Sequence, residues 1–168
     1  MSTMRIEFTI YGQPASKANS RKIVPRKIHS KTTGELVTRP MSIKSEAARE
    51  YETTVLKQVP PKARQRLEGP VRVAIRIWYA SERPDLDESV ILDCLQDRYD
   101  WVKRGTGEKK VLVHRGVYRN DRQVRQKVIL HGIDRTNPRA HIVVEPLHAQ
   151  QMQLALLDST DPFAMIEK

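Results

Sequence analysis

Val71-Arg72-Val73-Ala74-Ile75-Arg76-Ile77-Trp78-Tyr79 decides the fold. In an extended chain successive side chains point to opposite faces. Val71, Val73, Ile75, Ile77 and Tyr79 therefore share one face, and Arg72, Ala74, Arg76 and Trp78 the other. The pattern predicts a strand with one face in the core and one partly wet. Upstream, Arg5 to Tyr11 alternates in the same way and is stopped by Gly12-Gln13-Pro14. Downstream, Gln123 to Leu130 and Ala140 to Glu145 read as a closing pair of strands.

Two stretches change to helical spacing. Ala47, Ala48, Tyr51, Val55 and Val59 share a face of a helix ending near Gln58 before Pro60-Pro61, with Ser42 or Ser45 as its cap. Leu86, Val90 and Cys94, flanked by Ile91 and Leu95, predict a second helix to about Tyr99, capped by Asp85 or Asp87. The expected fold class is α+β: a small single-domain mixed β-sheet packed with two main helices. The domain body covers residues 1–146. Within it, residues 13–40 are expected to form a long basic loop, with a short hairpin at Thr33-Gly34, and Trp101 to Lys110 a second basic loop. Val111 to Tyr118 reads as a short strand. Residues 147–168 form a C-terminal extension, with a marginal helix over Gln150 to Leu157 and a loose end.

The 168 residues carry 30 Lys+Arg against 20 Asp+Glu, a formal net charge of +10. Mean hydropathy is −0.58 and the pI about 9.9. Such a surface points to phosphate-rich partners. Lys17, Arg21, Lys22, Arg26, Lys27 and Lys31 follow one another with no acid between them. No amphipathic or lipidated segment accompanies them, which argues against a membrane as the polyanion. The lone cysteine, Cys94, sits in an apolar helical pattern and is expected to be buried; it excludes an intrachain disulfide and suits a reducing cytosol. The histidines lack metal-ligand spacing, and no Gly-Lys-Ser/Thr phosphate loop is present.

Against this basic background, Arg83-Pro84-Asp85-Leu86-Asp87 and Asp121 stand out. Carboxylates serve a polyanion-binding surface when a cation bridges them to phosphate. Magnesium, or manganese in its place, takes oxygen ligands, offsets phosphate charge and lowers the pKa of a bound water. Two Asp one residue apart, in an extended segment, face one side and can share such an ion. The bland alternative is a helix cap at Asp87 with Asp85 solvated, and a turn preference for Asn120-Asp121. Asp93 is a fourth candidate ligand, whereas Glu88, Asp97 and Asp100 are read as solvated.

Taken in order, Arg83-Pro84-Asp85-Leu86-Asp87, Leu92-Asp93-Cys94-Leu95 and Asn120-Asp121-Arg122-Gln123-Val124 resemble the RusA family of Holliday-junction resolvases. Gly12-Gln13-Pro14, Lys17 and Arg21 resemble that family's entry loop, so the likeness spans Ile6 to Glu145. The resemblance implies a homodimer with no small-molecule cofactor, cleaving branched DNA such as a four-way junction in recombination and repair, of phage or prophage type. It puts the metal ligands and catalytic carboxylates at Asp85, Asp87 and Asp121, with Asp93 beside them. Lys17, Arg21, Lys22, Arg26 and Lys27 would contact phosphates, and Arg83 would contact phosphate or pin the acidic loop. The chain departs from the family at Asn120, where an acid is common, and at Ser89 or Ile91, where a lysine is expected. Lys103, Lys109 and Lys110, in the loop before Asp121, are candidates to substitute for that lysine. The alternative function is a branched-DNA-binding protein with weak or no cleavage.

Overall fold

The computed structural model describes residues 4–14, 20–30, 32, 34–82, 86–105 and 107–147. Lys17, Arg83, Asp85 and the extension beyond Leu147 lie outside the described residues. The fold is α+β. Four strands form a mixed sheet in the order β1-β8-β4-β7: β1 (Ile6–Tyr11), β8 (Arg139–Pro146), β4 (Val71–Tyr79) and β7 (Val124–Ile133). β8 is antiparallel to both β1 and β4, while β7 runs parallel to β4. β7 and β8 were expected to close the sheet together, but β4 lies between them. Their connection crosses the end of β4, where Asp134 N donates to Tyr79 O over 2.9 Å.

β4 has the predicted two faces. Val71, Val73, Ile75, Ile77 and Tyr79 are fully enclosed, and Arg72, Arg76 and Trp78 are half-buried. The inner face meets Ile6, Phe8 and Ile10 of β1, Ala140, Ile142 and Val144 of β8, and the apolar stripes of two helices. On the outer face the Trp78 ring lies between Arg76 and Arg139, whose guanidinium carbons stand 5.7 and 4.2 Å from its centre.

Helix α1 (Glu46–Gln58) begins at Ser45, whose hydroxyl accepts from Ala48 N over 3.2 Å. Ser42 cannot cap it because Ser42 is still paired in a strand opposite Ile23. The buried face is Ala48, Tyr51, Glu52, Val55 and Val59; Ala47, expected there, is exposed. Gln58 binds both the N–H and the C=O of Tyr11, at 2.9 and 2.8 Å, and so locks α1 to β1.

Helix α2 is only Ser89–Leu95, shorter than the predicted stretch to Tyr99. Asp97 explains the early stop. It is buried, takes Arg66 Nε at 2.7 Å, Tyr99 OH at 3.2 Å and Gly116 N at 2.9 Å, and so turns the chain out of the helix. The expectation that Asp97 is solvated is thereby corrected. Glu88, also read as solvated, pairs with Lys127 at 2.5 Å.

Both expected basic loops are β-hairpins. β2 (Arg21–His29) and β3 (Leu36–Lys44) form one ribbon; β5 (Arg98–Arg104) and β6 (Gly107–His114) form another. Pro25 and Pro40 stand opposite each other in the first. A two-stranded ribbon tolerates this because half of its N–H groups point to solvent. The turn of the first hairpin falls at Ser30 to Glu35, where Gly34 takes φ +72°. No helix among the described residues is long and apolar enough to cross a membrane.

Candidate functional site

The turn Asn120-Asp121-Arg122-Gln123 is built to hold its shape. Asn120 Oδ1 accepts from Arg122 N, and Gln123 Oε1 accepts from both Arg119 N and Asn120 N. Gln123 Nε2 then donates to Leu67 O and Gly69 O at 2.9 and 2.7 Å. Gln123 is thus the clamp that presents Asp121 at the entrance to β7. Asp121 itself is exposed, and its backbone N–H donates to Gln96 Oε1 at 3.3 Å. The other end of the same amide, Gln96 Nε2, donates to Asp93 Oδ1 at 3.4 Å. One side chain therefore ties Asp93 to the Asp121 turn.

Asp93 projects from α2 into a cleft of about 370 Å³ lined by Lys44, Glu52, Gln96, Asp97, Arg98 and Tyr99. Burial pushes the Asp93 carboxyl above its ordinary pKa. The charges of Glu52 and Asp121 add to the rise, while Lys44 and Arg98 oppose it. Lys44 Nζ lies 3.8 Å from Asp93 Oδ2.

Glu52 is the hub of this cleft. Its carboxylate pairs with Lys44 at the foot of the β2–β3 arm, and with Arg98 at the foot of the β5–β6 arm at 3.0 Å. Burial alone would raise its pKa; the hydrogen bonds from Lys44 and Arg98 outweigh that and hold it below the usual carboxylate range. Glu52, Lys44, Gln96 and Arg98 escaped the sequence reading. The available signal was Glu52 itself, four residues after Ala48 and three before Val55 on an apolar helical stripe.

Asp87 is placed differently. It is buried just before α2, its N–H donates to Tyr79 OH at 3.2 Å, and its Oδ1 accepts from Ser89 N at 3.0 Å. It thus caps the first turn of α2, although the residue at the cap position is Glu88. Among the described residues its buried Oδ2 has no hydrogen-bond partner. Asp87 and the Gln96–Asp121 contact lie at opposite ends of α2, about 10 Å of helix apart at ~1.5 Å per residue.

Among the described residues, no group of three or more His, Cys, Asp or Glu side chains is arranged to hold a metal ion. The donor chemistry of Asp93 and Asp121, oxygen only, suits magnesium, which commonly takes one or two carboxylates and fills its remaining positions with water and phosphate oxygens. Asp87 Oδ2, without a hydrogen-bond donor among the described residues, is a separate oxygen at the other end of α2.

Arg21, Lys22, Arg26 and Lys27 are all exposed on β2. The strand period puts Arg21 and Lys27 on one face of the ribbon, and Lys22 and Arg26 on the other, with Arg39 opposite Arg26. Lys103, Lys109 and Lys110 are exposed on the second arm; Lys110 sets its Nζ 4.5 Å from the centre of the Tyr99 ring, which lines the Asp93 cleft. No family model matches the chain, and no curated protein is significantly similar to it.

Proposed function

We propose that the chain is a magnesium-dependent endonuclease of branched DNA, acting as a homodimer at four-way junctions or related branches. One observation carries the reading: a carboxylate cleft lies at the joint of two exposed basic hairpins, with Asp93 and Asp121 linked through Gln96. The order of the acidic motifs, which resembles that of RusA resolvases, supports the same reading. Asp93 and Asp121 would hold the ion, with Asp87 and Asp85 the further carboxylates of the motif. The bound metal would offset phosphate charge and lower the pKa of the attacking water. Arg21, Lys22, Arg26 and Lys27 grip phosphates and orient the duplex without reading its sequence. Lys44, beside Asp93, takes the place of the lysine that α2 lacks, and offers its charge to the phosphate. A twofold dimer presents two equal sites to the two strands of a junction.

The second reading is a branched-DNA-binding protein that cuts weakly or not at all. The absence of any lysine from Ser89 to Leu95 favours it. Synthetic four-way junctions separate the two. The nuclease nicks them in magnesium, and Asp121→Asn abolishes nicking while binding persists. Wild type that binds junctions yet cuts none with any divalent ion establishes the second reading. Replacing Lys22 and Arg26, which share one face of the ribbon, together by Ala should flatten the salt dependence of binding by about 2 in log–log slope. An unchanged slope removes that face from the interface.

A further inference from the structure

The β5–β6 arm carries a feature that gripping a duplex does not require. Trp101 is 63% exposed and Tyr99 42%. Two residues apart on one strand, they face the same way, about 7 Å apart at ~3.4 Å per residue. Lys110 stands opposite Trp101 and sets its Nζ 4.5 Å from the centre of the Tyr99 ring. Lys103 lies on the same face, one strand period further out. Tyr99 is held in place: its hydroxyl donates to Asp97 Oδ2 and accepts from Arg66 at 3.1 Å. It also lines the cleft that contains Asp93. An aromatic and mainly basic strip, with Glu108 opposite Lys103, therefore starts at the candidate site and runs outward along the arm.

We infer that this strip is a stacking platform for unpaired nucleotides of a branched DNA, with a base on Trp101 and its phosphates near Lys103 and Lys110. The inference rests on the DNA reading above and adds which part of the branch is held. Paired bases hide their faces inside the duplex, whereas unpaired bases offer a free π-face to an exposed aromatic ring. The lysines around Trp101 favour a polyanion and resist burial in an apolar protein interface.

The test uses the full chain in EDTA, so that no strand is cut. Trp78→Phe leaves Trp101 as the sole tryptophan reporter. Oligothymidine and a forked duplex should quench Trp101 emission; a blunt duplex should not. Trp101→Ala should weaken binding of the fork and of oligothymidine by about 5- to 150-fold, the usual range for removing a stacked aromatic. Trp101→Phe should retain most of the affinity, and blunt-duplex affinity should stay as in wild type. Unquenched Trp101 on a bound fork overturns the inference, as does an equal loss for fork and blunt duplex. So does a Trp101→Ala variant that loses self-association in sedimentation but keeps its fork affinity. If wild type binds neither fork nor duplex, the DNA reading itself fails, and the inference with it.

Discussion

Glu52→Gln tests the joint between the two arms. Glu52 is 7% exposed, while the Lys44 and Arg98 side chains are 38% and 32% exposed. Breaking a fully buried ion pair costs about 3–5 kcal/mol, and a hydrogen bond to a charged group is worth about 1.5–3 kcal/mol. Water reaches both cations and repays part of either figure. Gln also keeps one acceptor oxygen. The expected loss is about 1–2 kcal/mol for Gln and about 2–3 kcal/mol for Ala, which adds a cavity. For a domain of this size Glu52→Gln should lower Tm by about 2–8 °C. The effect should also depend on pH with a definite sign. A carboxyl held below its ordinary pKa stabilises the fold fully above the unfolded value of about 4.5, and loses that contribution as pH falls through the folded value. Urea unfolding of wild type and Glu52→Gln should therefore show the full gap at pH 7 and a shrinking gap below about pH 4.5. A gap under about 0.5 kcal/mol at pH 7, or one that does not narrow in acid, refutes the claim that Glu52 anchors both arms.

Two further outcomes test the packing around α2. A Cβ on Gly116 would stand 2.4 Å from Gln96 C, 2.5 Å from Leu95 O and 2.6 Å from Asp97 N, all backbone atoms, whereas one on Gly107 meets no atom of the described residues within 4 Å. Gly116→Ala should cost about 3 kcal/mol or more in urea unfolding, with Gly107→Ala near neutral; equal stabilities would contradict the packing described. Burial pushes the Cys94 thiol up to about 12, so at pH 8 it should react with a disulfide reagent at least about 100-fold more slowly in the native state than in urea. Rapid native labelling would place Cys94 outside the core.

The sheet was legible because its strands have a dry face and a wet face. Val71 to Tyr79 and Arg5 to Tyr11 announce this by alternation alone. The two arms were legible only in part: the turn near Gly34 and the Val111–His114 portion of β6 were expected, but not the length of the ribbons, because both faces of each meet water and no apolar alternation is imposed; Pro25 and Pro40 also argued for a loop. Helix α2 was read as too long because the force that stops it is tertiary: Asp97 is drawn to Arg66 and Gly116, both distant in sequence. At the site, Asp87, Asp93 and Asp121 could be picked out as chemically capable residues. That Asp93 and Asp121 are brought together while Asp87 stays at the other end of α2 could not, since this depends on Gln96 and on where a seven-residue helix ends. Glu52 was hidden by its own stripe, where a charged residue looks like an interruption until Lys44 and Arg98 are folded against it.

The central position of β4 has a consequence for how the chain folds. Its neighbours β7 and β8 begin at Val124 and Arg139, so β4 is synthesised well before either partner exists. Until they arrive, its backbone edges are unpaired and its row of Val and Ile is uncovered, so the segment is prone to pair with other chains. Arg72 and Arg76, spaced along the opposite face, put charge into the segment during that wait and discourage such pairing. The sheet closes only when β8 slots between β1 and β4. Assembly thus depends on long chain closures, which make folding slower than the short hairpin arms alone would suggest.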